Sequence, residues 1–135
     1  MAPEETLENA GKLVLRVVVG GLMLFHGVDK LLNGLGGIRA DLASHGLPGA
    51  MAFYAGEVVA PLLILGGLWT RLGAGLYAVT IFFATILVHA DSFMRLAPTG
   101  AWAAEVYVFY ILGAAAVALL GAGRYSIRGG GSRWD

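Results

Sequence analysis

Four apolar stretches follow one another in this chain, separated only by short polar interruptions. They run approximately from Lys12 to Asn33, Met51 to Thr70, Leu72 to Ala90 and Ala101 to Gly121. Roughly 20 apolar residues suffice to cross the hydrocarbon core of a bilayer, so each stretch is read as a membrane span. The segment between the first two, NGLGGIRADLASHGLPG, is glycine-rich and closed by Pro48, which reads as a loop or a short surface helix. A tight turn at Thr70 and Arg71 separates the second and third spans, and DSFMRLAPTG joins the third to the fourth. Connections this short force neighbouring spans to run antiparallel. The expected fold is therefore all-α: one integral membrane domain over residues 1–135, a four-helix up-down-up-down bundle with a flexible tail after about Arg128.

Composition agrees. Charged residues make up 13% of the chain against 58% hydrophobic, whereas soluble domains carry about 25% charged residues. The formal net charge is zero, which gives no reason to expect a nucleic-acid partner. There is no cysteine, which excludes disulfide exchange, thiolate metal sites and any cysteine-bound cofactor on this chain. The acidic opening MAPEETLENAGK is unlike the basic start of a signal peptide, so the first helix is expected to remain as a span. Lys12, Arg16, Arg71, Arg124, Arg128 and Arg133 fall on one side of the threaded bundle, and Lys30, Arg39 and Arg95 on the other. The positive-inside rule then places both termini in the cytoplasm. Small residues recur in rows: Gly20, Gly27 and Gly34; Gly56, Ala60, Leu63 and Gly67; Ala114, Ala118 and Ala122. Helices in lipid associate largely by close packing through such residues, and the same seams are compatible with a homodimer.

The polar residues are not scattered in depth. At 1.5 Å per residue, antiparallel threading places His26, Asp29, Lys30, Glu57, His89, Asp91 and Glu105 in one outward-facing layer, roughly 4–15 Å from the midplane. Every helix contributes to it. Ionisable groups inside a span are costly and mark function by default. His26, Asp29 and Lys30 share one helix face by their i, i+3, i+4 spacing. Pro61, four residues after Glu57, has no N–H to give the Glu57 carbonyl and is expected to kink the second span. Against this stands the structural reading: Asp29 and Lys30 at the interface with Lys30 snorkelling, Asp91 and Arg95 in a loop, and His26, Glu57 and Glu105 as a packing network.

The layer suits two chemistries. His26, Glu57, His89 and Glu105 offer the imidazole and carboxylate ligands that zinc, iron or manganese accept, although no Glu-x-x-His element is present. The same groups could hydrogen-bond the carbonyl oxygens of a quinone while His26 or Glu57 relays a proton. Phe25, Phe53, Tyr107 and Phe109 are available to line such a pocket.

Several ordered segments resemble the DoxX family of small bacterial membrane proteins: LRVVVGGLMLFHGVDKLLNG, GEVVAPLLILGGLWTRLGA, the His89 end of the third span, and GAGRYSIR. The resemblance covers nearly the whole chain. It implies a four-helix protein of the bacterial plasma (inner) membrane and a role as a membrane component of an oxidoreductase system, since the family takes its name from a subunit of a thiosulfate:quinone oxidoreductase. By position His26 and Lys30 fill the HGxxK element, Glu57 the polar site of the second span, and Arg71, Arg124 and Tyr125 the turn and tail elements. The tail reads SIR where family members often have serine followed by an acidic residue. The expected ligand-binding set is His26, Lys30, Glu57, His89 and Glu105, with a quinone or similar small redox molecule as ligand and oxidoreductase proteins as partners. A metal-binding bundle and a non-catalytic membrane anchor or assembly factor stand as alternatives.

Overall fold

Pro3 supplies a preset φ at the first position of the first helix, and Glu4 and Glu5 place negative charge on its first turn. Helix α1 (Pro3–Asn33) therefore begins well before the expected start near Lys12. The computed structural model describes residues 2–36, 39–40, 43 and 49–135. Most of the expected loop between the first two spans, including Pro48, lies outside the described residues.

The second helical unit is composite: α2 (Ala50–Tyr54), a π-helical turn (Ala55–Val59) and α3 (Ala60–Gly66). Helix α4 (Thr70–His89) runs into a 3₁₀ turn (Ala90–Met94), and α5 (Glu105–Leu120) follows. Among the described residues there is no strand, only an isolated bridge between Leu96 and Trp102. The chain is all-helical, as expected.

Two helices, α1 with 31 residues and α4 with 20, are long and apolar enough to cross a membrane. The run Met51–Gly66 and α5 are shorter apolar helices. The second unit ends early because Gly67 adopts the left-handed conformation (φ 69°), which favours glycine. Trp69 also has positive φ, so the turn falls at 67–69 and Thr70 is already helical. The fourth helix starts late for a different reason. Ala97 N–H donates to Ala101, Ala103 N–H to Arg95, and the Trp102 indole to Phe93. These bonds hold residues 95–104 as a folded loop in which the expected first turn, 101–104, is used up.

The core is one cluster of Val19, Met23, Ala60, Ile64, Ala74, Tyr77, Ile81, Ala114 and Val117, with a smaller one around Leu35 and Phe53. Outside it, large apolar side chains such as Phe25, Leu32, Phe109 and Leu119 are exposed. The small-residue rows sit largely at contacts: Gly20 against Pro61, Ile64 and Leu65, Gly27 against Glu57, Gly56 against Thr80, and Gly73 against Ala60 and Leu63. Gly34 is the exception: it ends α1, and a Cβ there would meet nothing within 4 Å among the described residues.

Gly27 is the tightest of these contacts with a backbone atom. A Cβ there would lie 2.1 Å from the Glu57 carbonyl oxygen, so α1 passes directly over the carbonyl that Pro61 leaves without its helical donor. Gly27→Ala is expected to force the two helices apart at a cost of about 1–3 kcal/mol. Gly21→Ala, where a Cβ meets nothing within 4 Å, should be neutral. Thermal unfolding of the two variants in detergent checks the contrast; equal melting would refute it.

At the other end of the bundle, Arg16 is 1% exposed. It donates to the carbonyls of Ile64 (2.7 Å), Leu65 (2.5 Å), Ala122 (2.8 Å) and Tyr125 (2.8 Å). The tail, expected to be flexible beyond Arg128, instead folds back. Ile127 N–H bonds Gly66, Arg71 N–H bonds Trp134, and the Asp135 carboxylate accepts from Trp69 N–H at 2.8 Å. The Gly66 carbonyl and the N–H groups of Trp69 and Arg71, left without helical partners where the second unit breaks off, are what hold it.

Candidate functional site

The π turn places Glu57 in the interior. Such a turn inserts an extra residue per turn and re-aims the side chains it carries, and the Glu57 side chain is left 4% exposed. A lone carboxylate there would be very costly; it is matched by the Lys30 ammonium of α1, itself only 16% exposed, in a direct salt bridge. Lys30 thus turns inward instead of snorkelling. Tyr54, one turn before Glu57, donates its hydroxyl to the Lys30 carbonyl at 3.3 Å, which ties the same two helices above the pair.

Beside this ion pair lies a cavity of about 160 Å³. His26, one turn before Lys30, lines one side of it, and His89, at the end of α4, another. Tyr107 and Tyr110 of α5 complete the polar lining, while Met23, Phe53 and Ile81 supply apolar wall. The two histidines each engage a tyrosine. His89 stacks on Tyr107 at 4.6 Å between ring centroids with 19° between planes, and His26 meets Tyr110 edge-on at 6.1 Å and 85°. Behind Tyr110 stands Tyr77, at 6.4 Å. Its hydroxyl is fully buried and has no hydrogen-bond partner among the described residues.

Of the expected site residues, His26, Lys30, Glu57 and His89 converge on one cavity, and Glu105 does not. Glu105 is exposed and lies in the first turn of α5, because the helix that was to carry it inward begins there and not at Ala101. Asp29 is likewise exposed and bonds Asn33 on its own helix at 2.7 Å. Among the aromatics, Phe53 and Tyr107 line the cavity, whereas Phe25 and Phe109 point out of the bundle. The expected metal set, His26, Glu57, His89 and Glu105, is not assembled. Glu105 is outside, Glu57 is committed to Lys30, and no three His, Asp or Glu side chains among the described residues are placed to share an ion.

Sequence reasoning missed Tyr110, Tyr77 and Arg16. Tyr110 was legible in principle, because it follows Tyr107 by three residues and so shares its helix face. Arg16 was too: a cation inside LVLRVVV needs buried acceptors, yet it was counted only for orientation.

What this arrangement offers is a neutral ion pair, two imidazoles and phenolic groups around a small space walled by apolar side chains. Donors and acceptors of both kinds are present on opposite sides. A flat, uncharged ligand with polar atoms at its ends matches that lining; a strongly charged one would leave the Lys30–Glu57 pair unbalanced.

Comparison with known proteins agrees with the motifs. The family model described as DoxX matches residues 11–90, the stretch that carries α1 from Gly11 onward, α2, the π turn, α3 and all of α4. A protein of Bacillus subtilis (strain 168) named "Putative oxidoreductase CatD" is 38% identical over 80 residues, which is 58% of this chain and 59% of that protein. The chain therefore matches about three-fifths of that relative's length. No solved structure matches. The matched segment holds His26, Lys30, Glu57 and His89 together, and it covers more than half of the sequence: the chain belongs to the DoxX family.

Proposed function

We propose that this protein is a multi-pass subunit of a bacterial plasma-membrane oxidoreductase system that holds the head of a quinone, or of a similar small redox molecule, between His26, Lys30, Glu57 and His89. The single observation that carries the reading is the cavity beside the Lys30–Glu57 pair, with a histidine on each side of it. Its volume, about 160 Å³, is below the roughly 300–1,000 Å³ of pockets that enclose a drug-sized ligand. It suits a ring with its tail left outside. A quinone would supply two-electron, two-proton redox chemistry. The chain's own part is to orient the ring against the Tyr107–His89 stack, to donate hydrogen bonds to its oxygens from the imidazoles or Lys30, and to hold a proton at His26 or Glu57.

The membrane assignment draws on the family, on the two helices of spanning length and on the apolar exterior. The four-helix up-down-up-down bundle draws on the order of contacts. Gly20 meets Leu65 while Gly27 meets Glu57, and Arg71 reaches Ala118 while His89 meets Tyr107. In both pairs one partner's number rises as the other's falls. Two shorter helices sharing one hydrophobic slab with two longer ones require local thinning or a shift in depth. The clustering of Lys12, Arg71, Arg124, Arg128 and Arg133 at one end supports an orientation with both termini in the cytoplasm. An oxidoreductase role is supported by the relative's name. With no cysteine in the chain, its redox chemistry would draw on a bound cofactor, a metal on other ligands or a partner protein, and of these we take the partner protein.

The test is quinone-coupled oxidoreductase activity in native membranes, with quinone content of the purified protein measured alongside. His26→Ala and Glu57→Gln, inserted at normal levels, should each lower the activity by about 10²-fold or more, the scale of a lost acid–base group. Unchanged activity and unchanged quinone content in both variants would defeat the reading.

A further inference from the structure

The cavity is not equally sealed on its sides. The seam between α1 and the second unit is closed by Gly20 and Gly27 lying against backbone and side chains of residues 57–65. Those between the second unit and α4 are closed at Gly56 on Thr80 and Gly73 on Leu63. Helices α4 and α5 meet through the fully buried Ala74 and Ala114 and through the Tyr77–Tyr110 and His89–Tyr107 ring contacts. The fourth seam, between α5 and α1, is tight lower down, where a Cβ on Gly113 would lie 3.0 Å from Val19. At the level of the cavity it is spanned by the edge-on ring contact of His26 with Tyr110.

Exposure marks the same place. Of the lining side chains, only His26 and Val88 are exposed, while Phe53 and Met23 are buried and Lys30, His89 and Tyr110 are partly so. Flanking His26 on the outer surface are Phe25, 77% exposed, and Leu22; flanking Tyr110 are Phe109, 80% exposed, and Val106. A histidine that reaches both the cavity and an apolar outer face is the group a ligand entering from the bilayer would pass first.

Resting on the quinone-type reading above, we propose that the cavity opens sideways through the α1–α5 seam, with His26 and Tyr110 as its gate, and that the ligand is a tailed amphiphile. Its flat polar head lies inside, and its hydrocarbon tail leaves through the seam to run along Phe25 and Phe109 in the lipid. A ring that fills a small cavity has to leave its tail somewhere. On this side, among the described residues, the tail meets apolar surface at once, without crossing the Lys30–Glu57 pair or the folded loop 95–104. The arrangement also gives His26 two duties, contact with the head and control of access, which would explain why it stands exposed while the rest of the polar lining is withdrawn.

The experiment uses the full-length protein in lipid nanodiscs with a benzoquinone carrying a decyl tail that ends in an aryl azide. After illumination, labelled peptides are identified by mass spectrometry with and without an excess of unlabelled decylubiquinone. Label that the competitor removes is expected on Leu22, Phe25, Val106 and Phe109; exposed residues at another depth, such as Leu119, should label equally with and without competitor. Competable label confined to Val88–Met94 or to the 95–103 loop would overturn the lateral gate while leaving the quinone reading intact. No competable label anywhere would overturn both.

Discussion

Arg16→Ala is expected to lower the stability of the protein by about 3–5 kcal/mol, since it leaves several buried carbonyls without a donor at about 1–3 kcal/mol each. The reason lies in what the guanidinium touches. Helix ends leave carbonyls without intrahelical partners, and here two ends come together: α3 stops at Gly66 and α5 at Leu120. Arg16 reaches both, bonding Ile64 and Leu65 on one side and Ala122 and Tyr125 on the other. Hydrogen bonds from a charged group contribute about 1.5–3 kcal/mol each, though they are not additive. Lysine cannot replace it, since a single ammonium lacks the planar fork that serves four acceptors on separate segments. Arg16→Lys should recover only part of the loss. The matched control is Lys12→Ala one turn earlier: Lys12 pairs with the exposed Glu8 at 2.6 Å, and such i,i+4 pairs contribute about 0.3–0.5 kcal/mol. Denaturant unfolding in detergent measures the difference. Limited trypsin digestion should also cut the released tail at Arg128 or Arg133 in Arg16→Ala before the parent is touched. Equal stability of Arg16→Ala and Lys12→Ala would show that the carbonyls find other partners and that the clamp is incidental.

This example also shows where sequence stops being informative. The helices, the DoxX resemblance and the convergence of His26, Lys30, Glu57 and His89 are legible because each depends on apolar run length, on spacing along one helix, or on depth computed from a known rise. Glu105 fails the same calculation because its depth depended on where α5 starts. That start is set by hydrogen bonds of residues 95–104 to one another, which no periodicity records. The tail fails for a similar reason. GRYSIRGGGSRWD has the composition of a loose end, yet its order comes from acceptors and donors exposed by the break at Gly67, more than 50 residues away in sequence. Pro61 lay between the two outcomes. Its missing N–H foretold a disturbed helix beside Glu57, but the form of the disturbance, a π turn with Gly27 covering the carbonyl, is not written in the local sequence.

The same dependence on a neighbour makes the Lys30–Glu57 pair the sharpest place to separate a binding site from a packing device. Either Lys30→Met or Glu57→Gln alone leaves its partner charged in a setting where Glu57 is almost fully sealed, so each should cost about 3–5 kcal/mol. The double variant removes both charges together. Buried pairs exchanged for uncharged residues of similar volume are often neutral or even stabilising, so its stability should return close to that of the parent, and the two single losses should not add. If the pair serves only to join α1 to the π turn, the double variant should then keep quinone content and coupled activity along with its fold. Under the proposed function it should be stable and inactive, because the ligand has lost the ammonium and the carboxylate that bordered it while His26 and His89 remain. Stability and activity recovering together would move the site away from this pair. A stable double variant without bound quinone would show that the two charges are kept for the ligand, at a cost in stability that an uncharged pair does not carry.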